Sequence, residues 1–356
     1  MKLPTLDIGS LKIKYPIVLG AMGIGVTRSG LAAAVTNAGG LGVMSGVNLG
    51  FEEPDFMDNT LEANLRALRN EIRKAKEMTM GGAIGINFMV AMNMYAEHVR
   101  EAVKEGIDFI VSGAGIPAEL PSLVKGSSTK IAPIISSSKG ARLIAKLWDR
   151  NHNIAPDAVV LEGVKAGGHL GFNRDDIIND NYDVFKTISE IKVILKPYEE
   201  KYQKKIPLIV AGGIYSGEDI AEVLKAGGDG VQMATRFVAT KECDASDAYK
   251  QAYIDAVKED VKIIISPVGL PGRAVQNPFL EKINANNPPK IKRCVNCLKT
   301  CDIKTTPYCI SQALVNAVSG NVDEGLIFSG ENVYKVKAMS TVPEIFNDLL
   351  TTIEKI

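Results

Sequence analysis

The chain has 356 residues, 46% of them hydrophobic, with 33 glycines and a balance of 41 basic against 41 acidic side chains. That balance leaves no electrostatic footprint for nucleic acid or an anionic membrane, no apolar run approaches the ~18 residues needed to span a bilayer, and the N-terminus carries no signal-peptide pattern. The expectation is a cytoplasmic protein acting on a small molecule, long enough for one barrel of about 250 residues plus additions, with nothing in the residues to set an oligomeric state.

In chain order, Pro16 to Ala21 reads as a short strand ending in Met22-Gly23-Ile24-Gly25, followed by a helix from Thr27 to Asn37 that Gly39-Gly40 stops. Leu41 to Met44 is a second strand, with a long charged helix from Leu61 to Met78 after it. Ala83 to Asn87, Asp108 to Ser112 and Ile131 to Ile135 are strands three to five, each followed by a helix-period segment: Met92 to Glu105, Pro117 to Val124, and Ser138 to Asn151. Strand six, Ala158 to Leu161, runs into Glu162-Gly163-Val164-Lys165-Ala166-Gly167-Gly168-His169; a polar insertion, Asn173 to Asp183, precedes a helix reaching Tyr202. Pro207 to Ala211 is strand seven. Its glycine pair, Gly212-Gly213, leads to Ser216-Gly217-Glu218-Asp219, which opens a helix with Ile220, Ala221, Val223 and Leu224 at helical spacing. Gly230 to Met233 is strand eight, Ala245 to Lys258 the eighth helix, and 263–275 an irregular loop.

Eight apolar runs, each followed by a helix-period segment, predict a parallel sheet with helical crossovers. The count of eight favours an α/β fold closed as a TIM (β/α)8 barrel over an open doubly wound sheet. An open sheet of that kind advertises its phosphate loop after the first strand, and Met22-Gly23-Ile24-Gly25 lacks the dinucleotide spacing. The expected organisation is a barrel over residues 1–275 and a C-terminal cysteine-containing appendage over 276–356, packed on the barrel.

Of three histidines, His98 and His152 are expected to face solvent. His169 follows a strand ending at the catalytic face and is flanked by Gly167, Gly168 and Gly171, which let a ligand approach the backbone; an imidazole there suits proton transfer. Glu162, Asn87 and Gln232 stand at strand ends as ligand-facing or packing residues, Thr235 offers a hydroxyl where a phosphate would sit, and Met22 could pack against a flat ring. Four of the five cysteines crowd into Cys294-x2-Cys297-x3-Cys301-x7-Cys309. In a reducing compartment this spacing suggests a bound metal, either a [4Fe–4S] cluster or structural zinc, with unligated thiols as the alternative.

From Tyr15 to Arg273 the chain resembles the nitronate monooxygenases, formerly 2-nitropropane dioxygenases, and their relatives the flavin-dependent enoyl-acyl-carrier-protein reductases. The resemblance rests on GAMGIG at Gly20 to Gly25, GINFMV at Gly85 to Val90, EGVKAGGHLG at Glu162 to Gly171, and VAGGIYSGEDI with GVQMAT between Val210 and Thr235. It implies FMN held by Met22, Asn87, Glu162, Gly167, Gly213, Gln232, Met233, Ala234 and Thr235, with His169 as the active-site histidine. The implied activity is oxidation of nitronates or nitroalkanes by dioxygen. The alternative is an enoyl-thioester (enoyl-ACP) or quinone reductase using NAD(P)H. Two features depart from the family pattern: many relatives have glutamine where Glu162 stands, and the usual tail does not demand a four-cysteine cluster.

Overall fold

The structure is a computed structural model describing residues 1–179, 181–267, 269–291 and 293–356. Asp180, Val268 and Lys292, which fall in the expected insertion, loop and C-terminal extension, lie outside the described residues. A hairpin of β1 (Leu6–Ile8) and β2 (Leu11–Ile13) precedes the barrel. The chain then alternates β3 (Ile17–Leu19), α1 (Ser29–Asn37), β4 (Gly42–Ser45), α2 (Thr60–Met78), β5 (Ile84–Met89), α3 (Tyr95–Lys104), β6 (Phe109–Gly113) and α4 (Leu120–Leu123). It continues with β7 (Lys130–Ile135), α5 (Ser138–His152), β8 (Val159–Glu162), the two-residue β9 (Gly168–His169), α6 (Arg174–Ile178), α7 (Val184–Tyr202), β10 (Leu208–Ala211), α8 (Gly217–Lys225) and β11 (Gly230–Met233). Beyond it lie α9 (Thr235–Val238), α10 (Asp247–Asp255), β12 (Val261–Ile265), β13 (Pro271–Val275), α11 (Pro278–Asn284), α12 (Ile310–Val318) and α13 (Val342–Glu354).

Eight strands form one parallel sheet in the order β3-β11-β10-β8-β7-β6-β5-β4. Its two edges meet: Leu19 N–H donates to Leu41 O and Leu41 N–H to Ile17 O, each at 2.9 Å. The expected eight-stranded barrel is therefore the observed fold. Both faces of each strand are covered, which is why the strands read as continuous apolar runs. Ile209 and Ala211 of β10 and Val160 of β8 point into the barrel interior with Val18, Val43 and Val111, while Leu208, Val210, Val159 and Leu161 pack outward against the helices. Leu6, Ile8 and Ile13 of the hairpin join the interior cluster, and Leu6 lies beside Gly230 at the start of β11. The hairpin thus plugs the end where the strands begin, leaving the other end for a ligand.

Local signals account for the α8 boundary. Ser216 Oγ accepts from Asp219 N–H at 3.3 Å, and the Asp219 carboxylate accepts from the Tyr215 and Ser216 amides at 2.8 Å; this capping box satisfies amides that the first helical turn leaves free.

Two expectations fail beyond the eighth strand. The segment predicted as an irregular loop contains β12 and β13, which pair antiparallel and extend onto β9 through Gly272 and Arg273. The Gly- and Pro-rich stretch between them marks the turn, and its composition masked the strands. The helix closing the barrel between α8 and α1 is α13, not the 245–258 segment. Phe346 of α13 stacks against Tyr15 and Phe237, with ring centroids 6.2 and 6.0 Å apart, and a Cβ on Gly217 would stand 2.8 Å from Leu349 O.

Candidate active site

All eight barrel strands deliver their C-terminal ends to one cavity of ≈ 270 Å³, lined among others by Met22, Ser45, Asn87, Gly113, Ile134, Glu162, Gly213 and Gln232. In a barrel this is the end where loops, rather than core packing, determine the chemistry. Each residue that the motifs single out, Met22, Asn87, Glu162, Gly167, His169, Gly213, Gln232, Met233, Ala234 and Thr235, lines this cavity. Met233 does so beside a buried side chain, its carbonyl accepting from Gly20 N–H at 2.8 Å.

His169 is held by its backbone. It pairs with Gly272 in the β9–β13 ladder, and Leu170 N–H donates to Pro271 O at 2.8 Å. Arg273, itself buried, donates from Nη1 to the carbonyls of Val164 at 2.8 Å and Ala166 at 2.5 Å, fixing the loop leading to the histidine. The imidazole packs edge-on to Phe328, with centroids 5.1 Å apart, and its Nε2 is buried without a hydrogen-bond partner. Burial pulls its pKa down to about 4, so the ring is neutral at ordinary pH. Glu162 shows the opposite effect: desolvation at the cavity floor pushes its carboxyl up to about 7.

The glycines supply the cradle. Gly212 and Gly213 have φ of +97° and +83°, conformations that side chains rarely adopt. Gly167 has a different reason, since a Cβ there would stand 2.6 Å from the Ser329 backbone. Thr235 Oγ1 accepts from Gly330 N–H at 3.0 Å, which leaves its own hydroxyl hydrogen to donate elsewhere.

The cavity roof is a segment that motif reading missed. Phe328, Ser329 and Gly330 of the C-terminal region line the cavity, and Ser329 Oγ is buried without a partner. Hydrogen bonds stitch the segment down: Ser329 N–H to Arg273 O at 3.1 Å, Glu331 N–H to Lys165 O at 3.2 Å, Asn332 Nδ2 to Gly213 O at 2.7 Å, and Tyr253 OH to Phe328 O at 2.5 Å. The only sequence signal was a glycine following an apolar run, Leu326-Ile327-Phe328-Ser329-Gly330.

The model of the nitronate monooxygenase family matches residues 5–352, almost the whole chain. The chain belongs to the nitronate monooxygenase family. It is 26% identical to a probable nitronate monooxygenase of Staphylococcus saprophyticus, over 96% of this chain and 95% of that protein. It is 25% identical to a (3aS,4S,5R,7aS)-5-hydroxy-7a-methyl-1-oxo-octahydro-1H-indene-4-carboxyl-CoA dehydrogenase of Mycobacterium tuberculosis, over 81% of this chain and 70% of that one. Among solved structures, FabK of Thermotoga maritima superposes with a TM-score of 0.73 at 26% identity, covering 96% of this chain and 94% of FabK. A nitroalkane oxidase of Streptomyces ansochromogenes, 20% identical with a TM-score of 0.71 and 96% of each chain covered, shares the fold. This nitronate monooxygenase family member is therefore an oxidoreductase, and the family match includes the C-terminal segment that roofs its cavity.

The other two histidines lie away from the cavity. His98, expected to face solvent, is buried on the inner face of α3 beside Phe88, with Nδ1 2.7 Å from Met94 O; Tyr95, Val99 and Ala102 share that face. His152 Nε2 lies 2.8 Å from Ala118 O, a structural contact. Cys243 is buried, with its Sγ donating to Val26 O at 3.5 Å. Cys294, Cys297, Cys301 and Cys309 are free thiols that line a separate small cavity. Among the described residues, no group of three or more His, Cys, Asp or Glu side chains is arranged to hold a metal ion, so a preformed site for the expected metal, iron–sulfur cluster or zinc, is not observed. No helix among the described residues is long and apolar enough to cross a membrane.

Proposed function

We propose that this chain is an FMN-dependent oxidoreductase that oxidises nitronates or nitroalkanes with dioxygen. The observation that carries the reading is one cavity onto which the neutral, unpartnered His169 imidazole and the Gly212-Gly213 cradle both open. A flat, phosphate-bearing cofactor fits these residues. The phosphate would take the backbone amides around Gly213 and Ala234-Thr235, and the ring system would lie across the strand ends by Met22 and Asn87. FMN, when bound, supplies the two-electron chemistry. The residues do the rest. Asn87 presents both an amide donor and a carbonyl acceptor, Gln232 a second amide, and Glu162 a carboxyl that can donate while protonated. His169 Nε2 accepts or returns a substrate proton, and Phe328 covers the imidazole against water.

A second reading, an acyl-thioester or quinone reductase drawing on NAD(P)H, has support in the similarity to a carboxyl-CoA dehydrogenase. Anaerobic titration of the purified protein's flavin with NADH, NADPH and a nitronate, followed by oxygen, enoyl thioester or quinone, separates the two. Reduction by a nitronate and reoxidation by oxygen support the first. Reduction by a nicotinamide alone, with reoxidation by a thioester or quinone, overturns it in favour of the second. A colourless protein that takes up no FMN overturns both.

A further inference from the structure

The active cavity leaves the four C-terminal cysteines unused. We propose that Cys294, Cys297, Cys301 and Cys309 together hold a cubane iron–sulfur cluster.

The four thiols line one cavity whose remaining wall is largely aliphatic, with Ile291, Val295, Ile303 and Ile310 among its members and, among the described residues, no carboxylate or imidazole. A sulfur-only donor set in an apolar shell selects soft metals and disfavours the hard cations that oxygen ligands hold. The cysteines are close enough to influence one another electrostatically, Cys294, Cys301 and Cys309 all acting on Cys297. A cubane brings its own sulfide and presents four iron corners, so four cysteines lining one cavity match its ligand count. Spacing points the same way. Three of the cysteines lie between Cys294 and Cys301 on one short loop, whereas structural zinc sites generally pair two separate two-ligand turns.

The loop is also shaped for thiolate ligation. Asn296 N–H donates to Cys294 Sγ at 3.3 Å, and Asn296 itself takes a left-handed φ of +49°. Amide donation to a ligating sulfur is one of the levers by which proteins stabilise such clusters. Cys309 occupies the N-cap position of α12, where unpaired amides and the helix dipole favour an anionic group.

The site abuts the active cavity. Asn93 N–H donates to Cys297 O at 3.0 Å and Lys299 N–H to Ala91 O at 2.9 Å, bridging the cysteine loop to the chain just after β5. Asn87 and Met89 of β5 line the active cavity, and Leu314 of α12 lines it too. A bound cluster would therefore fasten two walls of that cavity.

Full-length protein, purified anaerobically and also reconstituted with ferrous iron and sulfide, is analysed for iron, acid-labile sulfide and zinc. The expected result is iron and sulfide in equal amounts approaching about four per chain, lost in the Cys294→Ser/Cys301→Ser double variant and kept in Cys243→Ala. Zinc without sulfide, neither metal after reconstitution, or iron and sulfide undiminished in the double variant overturns the proposal. Should the double variant fail to fold, the metal and sulfide content of the unmodified chain decides alone. FMN content, measured on the same samples, reports on the active cavity independently.

Discussion

Replacing Glu162 by glutamine should make the protein more stable at alkaline pH and leave it nearly unchanged at acid pH. The carboxyl ends β8 at the cavity floor, and desolvation lifts its pKa from the ordinary 4.5 to about 7. Between those values the folded chain keeps a proton that the unfolded chain has released. Stability from this group is therefore complete below pH 4.5 and is lost as the pH rises through about 7. At about 1.4 kcal/mol per tenfold change in proton affinity, the interval corresponds to at most about 3 kcal/mol. Glutamine has the same shape and no proton to lose. Urea unfolding of flavin-free wild type and Glu162→Gln at pH 5 and pH 8 should therefore show a stability difference that shifts toward the variant by 1 to 3 kcal/mol, on the order set by that interval. A difference that stays flat across this range would refute the claim that the cavity holds Glu162 protonated.

The remaining substitutions test the site directly. His169→Ala should keep its flavin and lose turnover at least about a hundredfold with a neutral nitroalkane; unchanged turnover at saturating substrate removes the imidazole from proton transfer. Because burial keeps that imidazole neutral down to about pH 4, any activity limb near pH 7 should follow Glu162 and vanish in Glu162→Gln. Gly213→Val should weaken FMN binding, whereas Gly106→Val, at a remote turn with a comparable φ of +71°, carries the same backbone strain and should leave FMN affinity intact. Gly167→Ala should cost about 1 to 3 kcal/mol and loosen FMN, because its Cβ would meet the Ser329 and Gly330 backbone, while Gly168→Ala meets no atom and carries only the backbone strain of its φ of +72°; equal FMN affinities in the two variants would count against that close approach.

The barrel was legible because its signals are local. A strand buried on both faces is a short continuous apolar run, a crossover helix has its own period, and Ser216 and Asp219 announce α8 by a cap that involves four successive residues. Candidate ligand contacts were legible for a related reason: motif residues such as Asn87 and Glu162 end barrel strands, so strand direction alone brings them to one mouth. Long-range features left weaker traces. His98 looks polar in a polar helix, and only the side of α3 that meets Phe88 makes it a core residue. Strands β12 and β13 gain their identity from pairing with each other and with β9, which the glycines and prolines of their turn conceal. The roof at Phe328 to Gly330 has no periodicity of its own and is defined by the loops that it bonds.

The position of α13 links these observations. A barrel lacking a helix between α8 and α1 would leave Ile17, Val35 and Val231 in a partly uncovered outer layer, and Phe346 and Leu349 supply that cover from the far end of the chain. Closing the barrel thus requires the polypeptide to return from beyond the cysteine loop, and its way back passes over the open mouth. On that return the chain lays Phe328 against His169 and Ser329 beside Gly167. Completing the outer layer and roofing the cavity are consequently one structural event. Truncation before residue 328 would remove the eighth helix together with the roof, so it would not isolate a smaller working barrel.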